Sequence, residues 1–174
     1  MAEANKDAML LISISWQALT RAISNDHQTQ ICDSIVVTLF AGLFIEANLN
    51  HIIKELNMKE ELEVFLQNDK FPGMQDKLAW FYNKFIAKNK AMTKKELRNK
   101  GIYKKLKRRY PGFIKLYNFR NDLAHGIINN TAKSIREVER LRQKAKDIVD
   151  DLYKVVKKSG YSIPRNVTYI KAIQ

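Results

Sequence analysis

The run Phe119-Arg120-Asn121-Asp122-Leu123-Ala124-His125-Gly126 places two side chains suited to phosphate chemistry on one short segment. Arg120 carries a permanent charge and a planar fork of donors that matches a phosphate. His125, five residues on, is the side-chain type best placed to move protons near neutral pH, with an ordinary pKa of about 6.5. Asn121 adds an amide directly after the arginine. The chain as a whole is strongly basic, with a formal net charge of +13. A charge of that size implies an acidic partner such as nucleic acid, an anionic surface or an acidic protein. Together these features point first to cleavage of an RNA backbone.

The periodicity around the motif predicts a helix over Phe113 to His125 that ends at Gly126. At about 100° per residue, Phe113, Leu116, Tyr117, Leu123 and Ala124 form an apolar face with Arg120 in its middle. Asn121 and His125 are four apart and stack at the edge of that face. Burying an unpaired charge is very costly, so Arg120 must face a cavity, face a partner subunit or pair with a buried carboxylate. Glu46 is the obvious carboxylate. It lies in line with Leu39, Leu43 and Ile53 on a greasy stretch, with Asn50 four residues further on, a polar island on an apolar helix.

The remaining elements read as helices. A first helix is expected over Ala4 to Ser24, then a loop around Asn25 to Thr29. A long second helix over about Gln30 to Leu56 is apolar nearly all round and should be the central helix of a bundle. Asn57 with Glu60 reads as a capping box opening a short helix to about Gln67. Asn68 to Gly73 is a loop, and Met74 to about Ala87 an amphipathic helix with Leu78, Phe81, Phe85 and Trp80 turned inward. Thr93 with Glu96 repeats the capping-box pattern, and Gly101 terminates that helix. A helix over Ile102 to Arg109 is stopped by Pro111-Gly112. Ser134 with Glu137 opens the last long helix, whose stripe of Ile135, Val138, Leu141, Ala145, Ile148, Val149, Leu152 and Val156 faces the core. The tail from Tyr161 to Gln174 has no helical period. The reading is one all-α domain over 1–160 followed by a tail or arm over 161–174.

Composition agrees with a single helical domain. The 174 residues suffice for a real core, and only 6 Gly and 3 Pro leave little turn material. Cys32 is the one cysteine, so no internal disulfide can form. The greasiest run, Ser34 to Ile45, is 12 residues, short of the ~20 that span a bilayer. No export signal is visible, and the expected location is the cytoplasm, without membrane association.

The segment Arg120-Asn121-Asp122-Leu123-Ala124-His125-Gly126, followed by a long amphipathic terminal helix, resembles the core motif of HEPN domains. These are α-helical bundles of toxin–antitoxin, abortive-infection (phage-defence) and other nucleic-acid-processing systems. The long apolar helix with Glu46 and Asn50 is similar to their second core helix, and the likeness covers about Ala4 to Ser159. It implies a metal-independent, homodimeric endoribonuclease, with the motifs of two subunits forming one composite site. Arg120 would then hold the scissile phosphate and stabilise the charged transition state. His125 would be the general acid or base towards the ribose 2′-hydroxyl or the leaving oxygen, and Asn121 would orient His125 or the phosphate. The RNA's own 2′-hydroxyl attacks, so no metal or other cofactor is required, and DNA should resist. Toxins controlled by a nucleotidyltransferase antitoxin carry Tyr two residues after the His, where this chain has Ile127. Some members keep the bundle as non-catalytic modules that bind RNA or a nucleotide.

Between Lys88 and Tyr110 stand 11 Lys or Arg residues against one acid, Glu96. Lys94, Lys95, Arg98, Lys104, Lys105, Lys107, Arg108 and Arg109 are candidate phosphate contacts, and Tyr103 and Tyr110 candidate stacking platforms for unpaired bases. The expected partners are therefore RNA, a second copy of the chain and, for a toxin, an antitoxin protein. A helical interaction protein whose basic face binds an acidic protein is the remaining alternative. His51 reads as a satisfied structural residue and His27 as a loop residue. Neither His27 nor His51 is read as part of a metal site, and no metal site is expected.

Overall fold

The computed structural model describes residues 14–20, 27–66, 73–124 and 135–164. Every regular element among them is a helix, and the architecture is an all-α bundle. Residues 14–20 form α1. It is followed by α2 (His27–Glu55), α3 (Lys59–Leu66), α4 (Met74–Phe81) with a π-helical continuation (Tyr82–Ile86), α5 (Lys94–Asn99), α6 (Ile102–Arg109), α7 (Pro111–Ala124) and α8 (Ile135–Lys158).

The core is built on α2, which packs most extensively against α8 and then α7, while α7 and α8 also meet. Val37, Ala41, Phe44, Ile45, Leu49, Ile52 and Ile53 of α2 recur at spacings of three and four and are buried. Val138, Leu141, Ala145, Ile148, Val149, Leu152 and Val156 of α8 answer them, as their periodicity predicts. Each such Leu, Ile or Phe contributes about 1.5–3 kcal/mol by leaving water. One polar lock crosses this apolar seam. The Tyr153 hydroxyl donates to Asn48 Oδ1 at 3.1 Å, and Asn48 Nδ2 donates to the Phe44 carbonyl at 2.8 Å, so the buried amide is satisfied. Helices α4, α5 and α6 pack on one another, with α4 also touching α2 and α6 touching α7.

Several local expectations are corrected. His27 to Thr29 belong to α2 rather than to a loop. Asn57 does not cap α3 but closes α2. It takes φ 52°, its N–H donates to the Lys54 carbonyl, and the Met58 N–H donates to the Ile53 carbonyl, both at 3.0 Å. That pair of bonds is a Schellman end, for which Asn is the best non-glycine residue. Helix α6 ends at Arg109, before Pro111, as expected, but Pro111-Gly112 also opens α7, which was expected to start at Phe113. Proline fits a first helical position, where no N–H is needed and φ is already helical. Gly112 lets α7 approach α8, since a Cβ there would lie 2.5 Å from Lys144 Cδ and 2.9 Å from its Cβ. The capping box at Thr93 and Glu96 is present in both directions, and Gly101 stands at φ 66° between α5 and α6.

The π segment was not foreseen. It holds the Asn83 amide inside, where Asn89 Nδ2 donates to Asn83 Oδ1 at 2.9 Å and Asn83 Nδ2 donates to the Lys90 carbonyl at 3.4 Å. The apolar span of α2 is also longer than the 12 residues counted above. Asp33–Glu55 is long and apolar enough to cross a membrane by length and composition, yet 56% of its 18-residue apolar stretch is buried against the rest of the protein. A core helix passes the same test. The expected first helix (Ala4 to Ser24) is described only over 14–20, and the 68–72 loop, the turn after the motif and the tail beyond Pro164 lie outside the described residues. Within 161–164, Tyr161 packs edge-on against Phe85 and Ile163 leans on the core.

Candidate functional site

Helix α7 carries Arg120 on the side turned to α2. Its neighbours Phe113, Leu116 and Phe119 are buried and fix the helix by packing. Gly42 of α2 brings the two helices close, with the Leu116 carbonyl 3.7 Å from where a Cβ at 42 would sit. Arg120 Nη2 lies 3.3 Å from Glu46 Oε2. Of the three possibilities open to Arg120, its described surroundings show the carboxylate, with a third of the side chain still exposed at 33%.

Sequence reasoning missed Lys77. It extends from the first turns of α4, and its Nζ stands 3.5 Å from Glu46 Oε1 and 3.0 Å from Asn50 Oδ1. Only 14% of the Lys77 side chain and 17% of that of Glu46 is exposed. One carboxylate therefore serves two cations, one on each oxygen, and the three groups carry a surplus of one positive charge. The i,i+4 pair Glu46–Asn50 on an apolar helix was the available signal that a polar partner must come from elsewhere. Nothing in the local sequence singled out Lys77, which reads as an ordinary flank to the buried Leu78.

Asn121 is half-buried on the next step of α7. His125 lies outside the described residues, so the structure gives the arginine half of the motif and the helix that leads to the histidine.

The residue before Lys77 connects this cluster to the basic segment. Asp76 Oδ2 pairs with Lys94 at 2.7 Å, and Asp76 Oδ1 accepts a hydrogen bond from Tyr103 at 2.7 Å. Adjacent residues of α4 thus hold α5 and α6 on one side and meet Glu46 on the other. Lys95, Arg98, Lys104, Lys105, Lys107 and Arg108 are all exposed on α5 and α6. Three other candidates are already engaged in the fold. Lys94 is on Asp76, Arg109 grips Asp151 with Nε at 2.9 Å and Nη2 at 2.8 Å, and Tyr110 donates to Asp151 Oδ2 at 2.5 Å.

Tyr110 is corrected as a base platform, and Tyr103 is partly engaged in the fold. Tyr110 is 4% exposed, so its ring belongs to the core. Tyr103 is half-buried, its hydroxyl is spent on Asp76, and Arg98 lies over its ring at 5.9 Å. Burial first, then the facing carboxylate (Asp151 for Tyr110, Asp76 for Tyr103), pushes both phenols well above their ordinary range. They are struts of the basic face.

Elsewhere, an open groove of about 430 Å³ lies between the start of α7 and α8, lined by Pro111, Gly112, Lys144, Asp147 and the Arg109–Asp151 pair. His51 is 6% exposed, and neither ring nitrogen finds a hydrogen bond among the described residues. It stands 4.0 Å from Glu55 and is not the satisfied residue expected. Trp80 is in the core, while Trp16 is partly exposed with the Arg142 guanidinium 4.4 Å from its ring. Among the described residues no group of His, Cys, Asp and Glu could hold a metal ion. Compared with models of known families, with curated proteins and with solved structures, the chain finds no match.

Proposed function

We propose that the protein is an endoribonuclease of the HEPN type that cuts RNA by activating the ribose 2′-hydroxyl. Arg120 carries the phosphate and its developing charge, His125 moves the proton, and Asn121 orients one of them. The observation that supports this best is the setting of Arg120. It is partly open, it sits in a cluster with surplus positive charge, and α6, which with α5 carries six exposed cations, packs against α7. Those cations would draw in the RNA backbone through counterion release, in a salt-sensitive way. The attacking group belongs to the substrate, so the chemistry needs no metal. As for other proteins with this motif, the working form would be a homodimer with two motifs facing, of a toxin or phage-defence type and held in check by an antitoxin protein.

Incubating total RNA with the protein in excess chelator tests the proposal. Cutting by the wild type and none by His125→Ala is expected. Intact RNA with tight, salt-sensitive binding would replace the enzyme by a non-catalytic RNA-binding module. No affinity for RNA at moderate salt would leave a helical protein that binds an acidic partner.

A further inference from the structure

We infer that Lys77 is a second phosphate-binding cation of the Arg120 site, and that Glu46 is a counter-ion that the phosphate displaces. The inference rests on the reading of Arg120 as the phosphate group's partner and adds to it a residue from a different helix. Its starting point is a contrast between ion pairs within the same molecule. Those that brace the fold are short: Lys94 to Asp76 is 2.7 Å and Arg109 to Asp151 is 2.8 Å. Such lengths are normal for a charge-assisted hydrogen bond. The two contacts to Glu46 are 3.3 Å and 3.5 Å, although Glu46 and Lys77 are more buried than Asp151 or Arg109. A carboxylate used only to fix helix register should hold its partners at least as tightly there as at the surface.

The donors are also underused. An ammonium has three N–H groups, and Glu46 and Asn50 account for two of those on Lys77 among the described residues. The Arg120 fork offers five donors, and its described contact to Glu46 is one long approach. A phosphate has the oxygens and the charge to meet both cations, and it neutralises the surplus that one carboxylate leaves. Asn50 is the positioning residue. Its Oδ1 holds the ammonium 3.0 Å away, on the side of α2 next to Glu46, so that Lys77 stays in place when Glu46 lets go. Glu46 keeps both cations oriented in the absence of ligand and disfavours any anion too weak to displace it.

The test is thermal unfolding of the full chain in inorganic phosphate against chloride at matched ionic strength, run beside an RNA-cleavage assay on the same preparations. For the wild type, phosphate at ten times its Kd should raise Tm by about 3–6 °C. Lys77→Met, which keeps the apolar stem, and Arg120→Met should each lose that rise, and Lys77→Arg should keep it. Glu46→Gln separates a binding role from a structural one. Removing the competing carboxylate should tighten phosphate severalfold even if Tm in chloride falls. Equal phosphate responses in the wild type and Lys77→Met, no response in the wild type, or weaker phosphate binding in Glu46→Gln would each overturn the inference. A phosphate response with these dependences but no RNA cleavage would uphold the site and reject the nuclease. RNA cleavage with kcat and KM unchanged in Lys77→Met would do the reverse.

Discussion

Replacing Tyr110 by Phe tests its role as a strut by removing one atom. The hydroxyl donates to Asp151 Oδ2 at 2.5 Å and receives Arg109 Nε at 3.2 Å. A hydrogen bond to a charged group is worth about 1.5–3 kcal/mol net. Asp151 keeps the Arg109 guanidinium and is partly solvated, and the Phe ring refills the core, so the low end applies, about 1.5–2 kcal/mol. A chain of this size loses about 2–4 °C in Tm per kcal/mol, giving a fall of about 3–8 °C. The Phe ring could still stack, so stacking is tested by Tyr110→Leu, whose RNA affinity by anisotropy at fixed salt, below its Tm, should stay within about twofold, where loss of a base stack would cost roughly 1–3 kcal/mol. The pH dependence carries the same sign. The folded state holds Tyr110 protonated above the ordinary phenol pKa of about 10, whereas the unfolded chain ionises there. Its contribution is therefore complete below pH ~10 and lost as pH climbs beyond that, so the Phe variant should lose stability less steeply at alkaline pH. An unchanged Tm in Tyr110→Phe, or RNA binding weakened more than fivefold in folded Tyr110→Leu, would refute the assignment of Tyr110 to the fold.

Two further predictions concern the helix contacts and the basic face. Gly112→Ala should destabilise by about 1–3 kcal/mol, because its Cβ would press on the Cβ and Cδ of Lys144, while Gly42→Ala meets ordinary contact and should be neutral or slightly stabilising; chemical denaturation measures both. Replacing exposed Lys104, Lys105 and Arg108 by Gln should leave stability within about 0.5 kcal/mol. The same change should flatten the dependence of log K on log salt for single-stranded RNA by about 2, and an unchanged slope would place the RNA elsewhere.

What the sequence conveyed depended on how local the deciding physics is. Apolar period placed α2, α7 and α8, because burial of a helix stripe is written in one stretch of chain. The Thr93–Glu96 capping box was legible for the same reason, since both partners sit three residues apart. Asn57 was misassigned because Asn serves equally at a helix start and in a left-handed helix end, and only the pairing of its N–H decides. The end of α6 before Pro111 is legible in the sequence, whereas the pair's second role, opening α7, depends on how the preceding chain turns. The π turn leaves no mark on a period read over five residues.

The site was half legible. Arg120, Glu46 and Asn50 were drawn together by the cost of leaving polar groups on apolar faces. Lys77 came from a separate helix whose approach depends on tertiary packing, which no local pattern encodes. For Tyr110, residue type suggested stacking, but burial of its ring and a carboxylate partner, again tertiary, decided otherwise.

The most direct measurement of the central claim is the chemistry of the cut ends. A defined single-stranded RNA is incubated with the protein in excess chelator, and the fragments are weighed by mass spectrometry. The account predicts upstream fragments ending in a 2′,3′-cyclic phosphate, downstream fragments starting with a 5′-hydroxyl, and no cut where the ribose lacks its 2′-hydroxyl. Arg120→Ala and His125→Ala should each abolish them. Fragments with 3′-hydroxyl ends that appear only when a metal is supplied, or cutting undiminished in His125→Ala, would contradict it.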